Sequence, residues 1–225
     1  MHDSIDGFTP AFVPLDPNLA PGAFQSYLNA VESQNDAVSD AEAVYSPLVE
    51  SRLTAANAIK EKALRVKDYV NANVAWKKYV KAITAAADNV RGYSLPKKAL
   101  LPPASVVPPT PKKVGQGARS QQGFADLESL FGKLINQVEK ITGYTAPALS
   151  GLTIAELKAQ DAAFTLLNDD VSEAEADLSE AQRVRKDFYD GENGLKEKMK
   201  CIKKAVRSQY GNASPQYAAV SGIKL

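Results

Sequence analysis

Asp36-Ala-Val-Ser-Asp-Ala-Glu-Ala43 reappears as Asp169-Asp-Val-Ser-Glu-Ala-Glu-Ala176. Carried on to Arg52 and Arg185, eight of the seventeen aligned positions are identical. A second block follows. Ile59-Lys60-Glu61-Lys62 aligns with Leu195-Lys196-Glu197-Lys198, and Val66-Lys67 with Ile202-Lys203. The lead-ins agree too: Gly7-Phe8-Thr9 precedes the first copy and Gly143-Tyr144-Thr145 the second. Self-similarity at a fixed offset points to one structural unit built twice.

The repeated stretch reads as helix. Phe24, Val31, Val38 and Tyr45 recur every seven residues, with Tyr27, Ala41 and Leu48 between them and polar Gln34 as the exception. The second copy keeps the register with Leu157, Phe164, Val171 and Leu178, and with Leu167, Ala174, Ala181 and Phe188 between. Such a/d spacing marks the seam of a long helix packed in coiled-coil fashion. The first long helix is expected over residues 23–53.

Between the two blocks the second copy has extra residues around Tyr189-Asp-Gly-Glu-Asn-Gly194. Asp-Gly and Asn-Gly tolerate φ > 0, so a helix-to-helix turn is predicted there. Alignment of the halves puts the first copy's turn near residues 54–58, although Ala55-Ala56-Asn57-Ala58 also suits a helix interior. Pro47 removes one helical hydrogen bond and crowds the preceding turn, so a kink is expected. Shorter return helices carry Ile59, Ala63, Val66 and Val70, then Leu195, Met199, Ile202 and Val206.

Further amphipathic stretches flank the copies. One holds Trp76, Tyr79, Val80, Ile83, Ala87 and Val90, with Gly92 as a C-terminal stop. Another, over residues 121–142, holds Phe124, Leu127, Phe131, Leu134, Val138 and Ile141 and ends at Gly143. Residues 94–119 contain six prolines and four lysines and read as an extended tether. The Pro-rich opening through Gly22 is expected to lack regular structure. So is much of the tail after Ser214-Pro215, although Ser-Pro suits a helix start.

The expected fold is therefore all-α: an elongated antiparallel helical bundle formed by duplication of a long-helix hairpin, with a Pro-rich linker. Its parts are an irregular segment 1–22, a first helical repeat 23–93, a Pro/Lys-rich linker 94–119, and a second repeat with an extra preceding helix 120–225.

Chemistry is sparse. The only histidine is His2, so no Ser-His-Asp or Cys-His pair can form. Zinc clusters, the Glu-x-x-His motif of di-metal bundles and phosphate-cradling glycine loops are missing. One cysteine, Cys201, excludes an intrachain disulfide and reads as an incidental thiol on a lysine-dense helix. Glu42 and Glu175, and Asp36 and Asp169, are equivalent pairs beside the seam. They read as solvated flank charges ahead of a carboxylate site. Arg52 and Arg185 fall on a-type positions, where two readings compete: a register-fixing interhelix ion pair, or a fraying end from which Arg reaches to water. No catalytic, cofactor-binding or metal-binding residue is assigned.

The long helices are acid-rich and the return helices basic, from Lys60 to Lys67 and from Lys196 to Arg207. Mutual attraction within each hairpin is the simplest account. A phosphate-binding basic face is the sharper one. The formal net charge of +1 and the lack of aromatics among the lysines argue against nucleic acid. Pro108-Pro109-Thr-Pro111-Lys-Lys113 resembles a ligand for proline-reading domains. Asn212-Ala-Ser214 is a sequon with no secretory context. No basic n-region, apolar h-region or membrane-length apolar run occurs, so the expected location is cytoplasmic, with leaderless export left open.

Gly7-Phe-Thr-Pro-Ala-Phe-Val-Pro-Leu-Asp16, Arg119-Ser-Gln-Gln122 and the Tyr-Gly…Ser-Pro-Gln-Tyr pattern after Val206 resemble a set of uncharacterised helical proteins from environmental bacteria, notably Bacteroidetes. The resemblance implies a helical bundle and no known activity. The expected function is a non-enzymatic structural or protein–protein interaction protein, self-assembly included. The alternative is a membrane-active, pore-forming-like helical protein.

Overall fold

The computed structural model describes residues 1–92, 123–148 and 150–224. These residues form helices and connecting turns, with no strand among them. In chain order the α-helices are α1 (His2–Asp6), α2 (Pro21–Ala72), α3 (Val80–Val90), α4 (Phe124–Glu139), α5 (Ile154–Asp190), α6 (Leu195–Tyr210) and α7 (Pro215–Ser221). Short 3-10 turns occupy Pro17–Leu19 and Val74–Trp76. The Pro/Lys-rich tether at 94–119, with its proline motif, lies outside the described residues.

The expected turn at residues 54–58 does not exist. The chain runs as one helix from Pro21 to Ala72. Ala55, Ala56 and Ala58 are strong helix formers, and no glycine interrupts them. The second copy does turn where expected, between Asp190 and Leu195. A Cβ on Gly191 would stand 2.4 Å from the Asp187 carbonyl oxygen, and one on Gly194 would stand 2.8 Å from the Gly191 nitrogen. Only glycine lets the chain reverse this tightly. The helix α2 also continues through Pro47, whose missing N–H leaves the Ala43 carbonyl without its usual partner.

Two further expectations need correction. The opening segment is partly ordered: it contains α1 and a 3-10 turn, and Ile5, Phe12 and Leu19 are buried. The tail likewise forms α7, begun by Ser214, whose hydroxyl accepts from the Tyr217 N–H at 3.0 Å. Both are helices of one or two turns, too short for a periodic signal. The helix expected over 121–142 is α4, which ends at Glu139. At the start of α5, Thr153 and Glu156 form a reciprocal capping box.

Two compact units emerge. The central unit, Leu48–Ser172, takes the second part of α2, then α3, α4 and the first part of α5. Its core joins Ile59, Val66 and Val70 of α2 to Ile83 and Val90 of α3, Phe131 and Leu134 of α4, and Leu157 and Phe164 of α5. Tyr69, Trp76 and Tyr144 pack ring against ring at one margin of it. Burial, with the neighbouring Tyr69, pushes the Tyr144 phenol up to about 12. A partly buried ion pair joins Lys67 to Asp88 at 2.9 Å.

The terminal unit, Met1–Pro47 with Glu173–Leu225, takes α1, the first part of α2, the last part of α5, α6 and α7. Its core is smaller: Ile5, Phe12, Leu19, Phe24, Ile202, Val206 and Val220. Residues 9–13 lie as an irregular strap held by side chains of α6 and α7. Gln209 donates to the Ala11 carbonyl and accepts from the Val13 N–H. Tyr210 donates to the Pro10 carbonyl and Gln216 to the Thr9 carbonyl. Phe8 meets the Tyr210 ring edge-on.

Candidate functional site

Polar side chains converge near the end of α5 and the start of α6. The last turns of α5, the start of α6 and one residue of α2 line a groove of about 630 Å³ within the terminal unit. Gln182, Arg185, Lys186, Tyr189 and Asp190 reach it from α5, Lys196 from α6 and Asn35 from α2. Asp190 is the one carboxylate in the lining. It pairs with Lys196 at 2.6 Å, and the Lys196 and Lys186 charges hold its carboxyl below the usual aspartate range. Asn35 donates its amide N–H to the Tyr189 phenol oxygen at 3.2 Å.

The neighbouring Arg183 is neutralised on its own helix by Glu180 and Asp187, at 2.7 and 2.9 Å. Among the described residues, no carboxylate lies within ion-pair distance of Arg185 or Lys186. The groove therefore carries three cations against one carboxylate.

Arg52 and Arg185 have diverged. The Arg52 guanidinium lies 4.2 Å from the centre of the Phe124 ring. It is partly buried, its Nε has no hydrogen-bond partner, and no carboxylate among the described residues pairs with it. Neither reading of the sequence foresaw this cation–π contact, because Phe124 is remote in sequence. Arg185 is exposed and lines the groove.

The paired carboxylates Asp36, Glu42, Asp169 and Glu175 are all exposed. No group of three or more His, Cys, Asp or Glu gathers among the described residues as a metal ion would need. Cys201 is half-buried, and its thiol faces Glu197 at 3.9 Å. His2 sits in α1 with Nδ1 3.3 Å from Asp3. Asn212 is exposed between α6 and α7. Attraction between an acidic long helix and its basic return is met once, at Asp190–Lys196. Other ion pairs lie within one helix or join α2 to α3 and α4 to α5.

A second polar cluster lies between α4 and α5 in the central unit. Glu128 accepts from the Thr165 hydroxyl at 2.8 Å and the Asn168 amide at 2.9 Å. Asp161 faces Gly132 of α4, and one of its carboxylate oxygens is buried without a partner. Burial first, and the Glu128 charge second, raise its pKa above the ordinary aspartate value. Sequence reading missed this cluster. Its signal was polar residues at helical spacing (Asp161, Thr165, Asn168) beside an apolar seam.

Comparison of the chain with protein-family models, with curated proteins and with solved structures finds no match.

Proposed function

We propose that the protein is a non-enzymatic helical scaffold that associates through its long helices, with further copies of itself as the first partner. One observation carries this reading. Over residues 39–55 of α2 no residue is buried, although the heptad seam continues through Tyr45 and Leu48. Val44 and Leu53 are 58% and 55% exposed there. Residues 175–193 likewise contain no buried residue. Helices draw most of their stability from packing an apolar face, so a long seam left only partly covered at Ala41, Tyr45 and Leu48, with Val44 and Leu53 exposed beside it, is a surface for a partner. The proposed location is the cytoplasm, and the bacterial helical proteins resembled by the chain belong to the same proposal.

Among the described residues no helix is long and apolar enough to cross a membrane, and no observation favours the membrane-active alternative.

The architecture behind this scaffold is proposed to be a duplication whose copies have exchanged parts. Equivalent seam positions support it: Phe24, Val31 and Val38 are buried, and so are Leu157, Phe164 and Val171. Unit composition supports it further. The first copy's lead-in shares the terminal unit with the second copy's return helix, α6. The second copy's lead-in shares the central unit with the first copy's return segment, the end of α2. In each unit, side chains of the return segment bond lead-in backbone. Gln209 and Tyr210 do so on residues 10–13, and Tyr69 and Arg65 do so on the Thr145 and Ser150 carbonyls.

Analytical ultracentrifugation tests both parts. The intact chain is expected to sediment faster as concentration rises, and Val44→Glu with Leu53→Glu to abolish that. A strict monomer that retains no partner from its own lysate refutes the scaffold. A chain cut at a protease site placed within residues 94–119 is expected to stay one complex. Separation of the pieces without denaturant refutes the exchange.

A further inference from the structure

We propose that the groove lined by the end of α5, Lys196 of α6 and Asn35 of α2 binds a small molecule bearing adjacent phosphate-type anions. Its volume of about 630 Å³ lies in the range of small-molecule sites. Its donors are of the right kind. Arg185 offers a planar fork that matches two anionic oxygens at once. Lys186 adds a second charge. Lys196 engages Asp190 with one of three ammonium protons and keeps two for a ligand. Because Asn35 donates to Tyr189, the phenol oxygen acts as acceptor in that bond and its own proton is free to be given.

The charge excess is local. It stands in a chain whose formal net charge is only +1 and beside Arg183, which is matched by two carboxylates. Unmatched cations held together in a concave site repel one another, and an anion relieves that repulsion. The first copy is the internal contrast. At the positions equivalent to Gln182 and Lys186 it has Val49 and Leu53, and its Arg52 is spent on the Phe124 ring. At the aligned positions of α2, Lys186 thus has no cationic counterpart and Arg185 has one that is already engaged.

Isothermal titration calorimetry of the full chain at fixed ionic strength tests this, with pyrophosphate and orthophosphate as probes. Pyrophosphate is expected to bind with saturation at one site per chain, more tightly than orthophosphate. Arg185→Gln with Lys186→Gln should weaken it roughly tenfold or more, and Tyr189→Phe severalfold. Both arginine and lysine are exposed, so the double variant is expected to keep full helicity by circular dichroism. The charge-matched control, Lys204→Gln with Arg207→Gln, removes two exposed cations of α6 outside the groove and should leave the affinity unchanged. Any of three results overturns the proposal: no saturable heat with millimolar pyrophosphate, undiminished binding in the groove variant, or equal loss in the control.

Discussion

The central and terminal units hold together differently. Among the described residues the central core gathers eighteen buried side chains and the terminal core seven. The terminal unit adds hydrogen bonds between the side chains of Gln209, Tyr210 and Gln216 and the backbone of an irregular strap. Apolar burial scales with area, whereas a solvent-accessible hydrogen bond adds only about 1 kcal/mol net. The central unit is therefore expected to be the more stable of the two, and the terminal unit the first to open.

The sharpest way to break this comparison is a pair of substitutions. Phe131→Ala empties a fully buried site in the central core and should cost about 3–5 kcal/mol. Gln209→Ala removes both strap bonds of an exposed side chain and should cost about 1–2 kcal/mol. Urea unfolding gives the magnitudes, and hydrogen exchange followed by mass spectrometry gives the location. Faster exchange is expected across α3 and α4 for the first variant, and across residues 8–13 for the second. Equal losses would mean that the strap, and not the core, sets stability.

A smaller effect separates the two long helices. In α2 the seventeen-residue repeat carries Pro47 where α5 carries Ser179-Glu180. An interior proline costs about 3 kcal/mol in a helix that must hold its line. Pro47→Ala is expected to raise stability by about 1–3 kcal/mol, with a matching rise in the thermal midpoint. No gain would mean that the backbone at residue 47 is already relaxed.

The same helices mark what the sequence makes legible. Heptad positions identify Phe24, Val31, Val38, Leu157, Phe164 and Val171, because the period of a seam is a property of residue order alone. The turn at residues 191–194 was equally readable, since glycine chemistry is local. The continuity of α2 was not: alignment argued for a turn, helix propensity argued against it, and propensity prevailed. Helices α1 and α7 are too short to show a period. The groove was invisible for another reason. Its Arg185, Lys186 and Lys196 could be named from the sequence, but Asn35 joins them only through tertiary packing, and Arg52 gave no hint that its twin would remain unpaired.

The finest distinction lies in the central unit, whose α4–α5 face contains an acid that the terminal core lacks. Burial first, and the Glu128 charge second, raise the Asp161 pKa above its ordinary value of 3.8. An acid with a raised folded-state pKa binds its proton more tightly folded than unfolded. Between the ordinary and the raised value the unfolded chain releases that proton first, so stability falls as pH rises through this window. Above it, the cost of a partly buried charge beside Glu128 is present. Asp161→Asn removes the charge and supplies an N–H toward a face rich in acceptor oxygens. The variant is expected to be more stable than the native chain at neutral pH and to lose that advantage below pH 3.8, where both side chains are neutral. Urea midpoints at the two pH values measure it. An advantage independent of pH would trace the gain to the new hydrogen bond, and a loss at neutral pH would make the Asp161 carboxylate a stabilising partner in this seam.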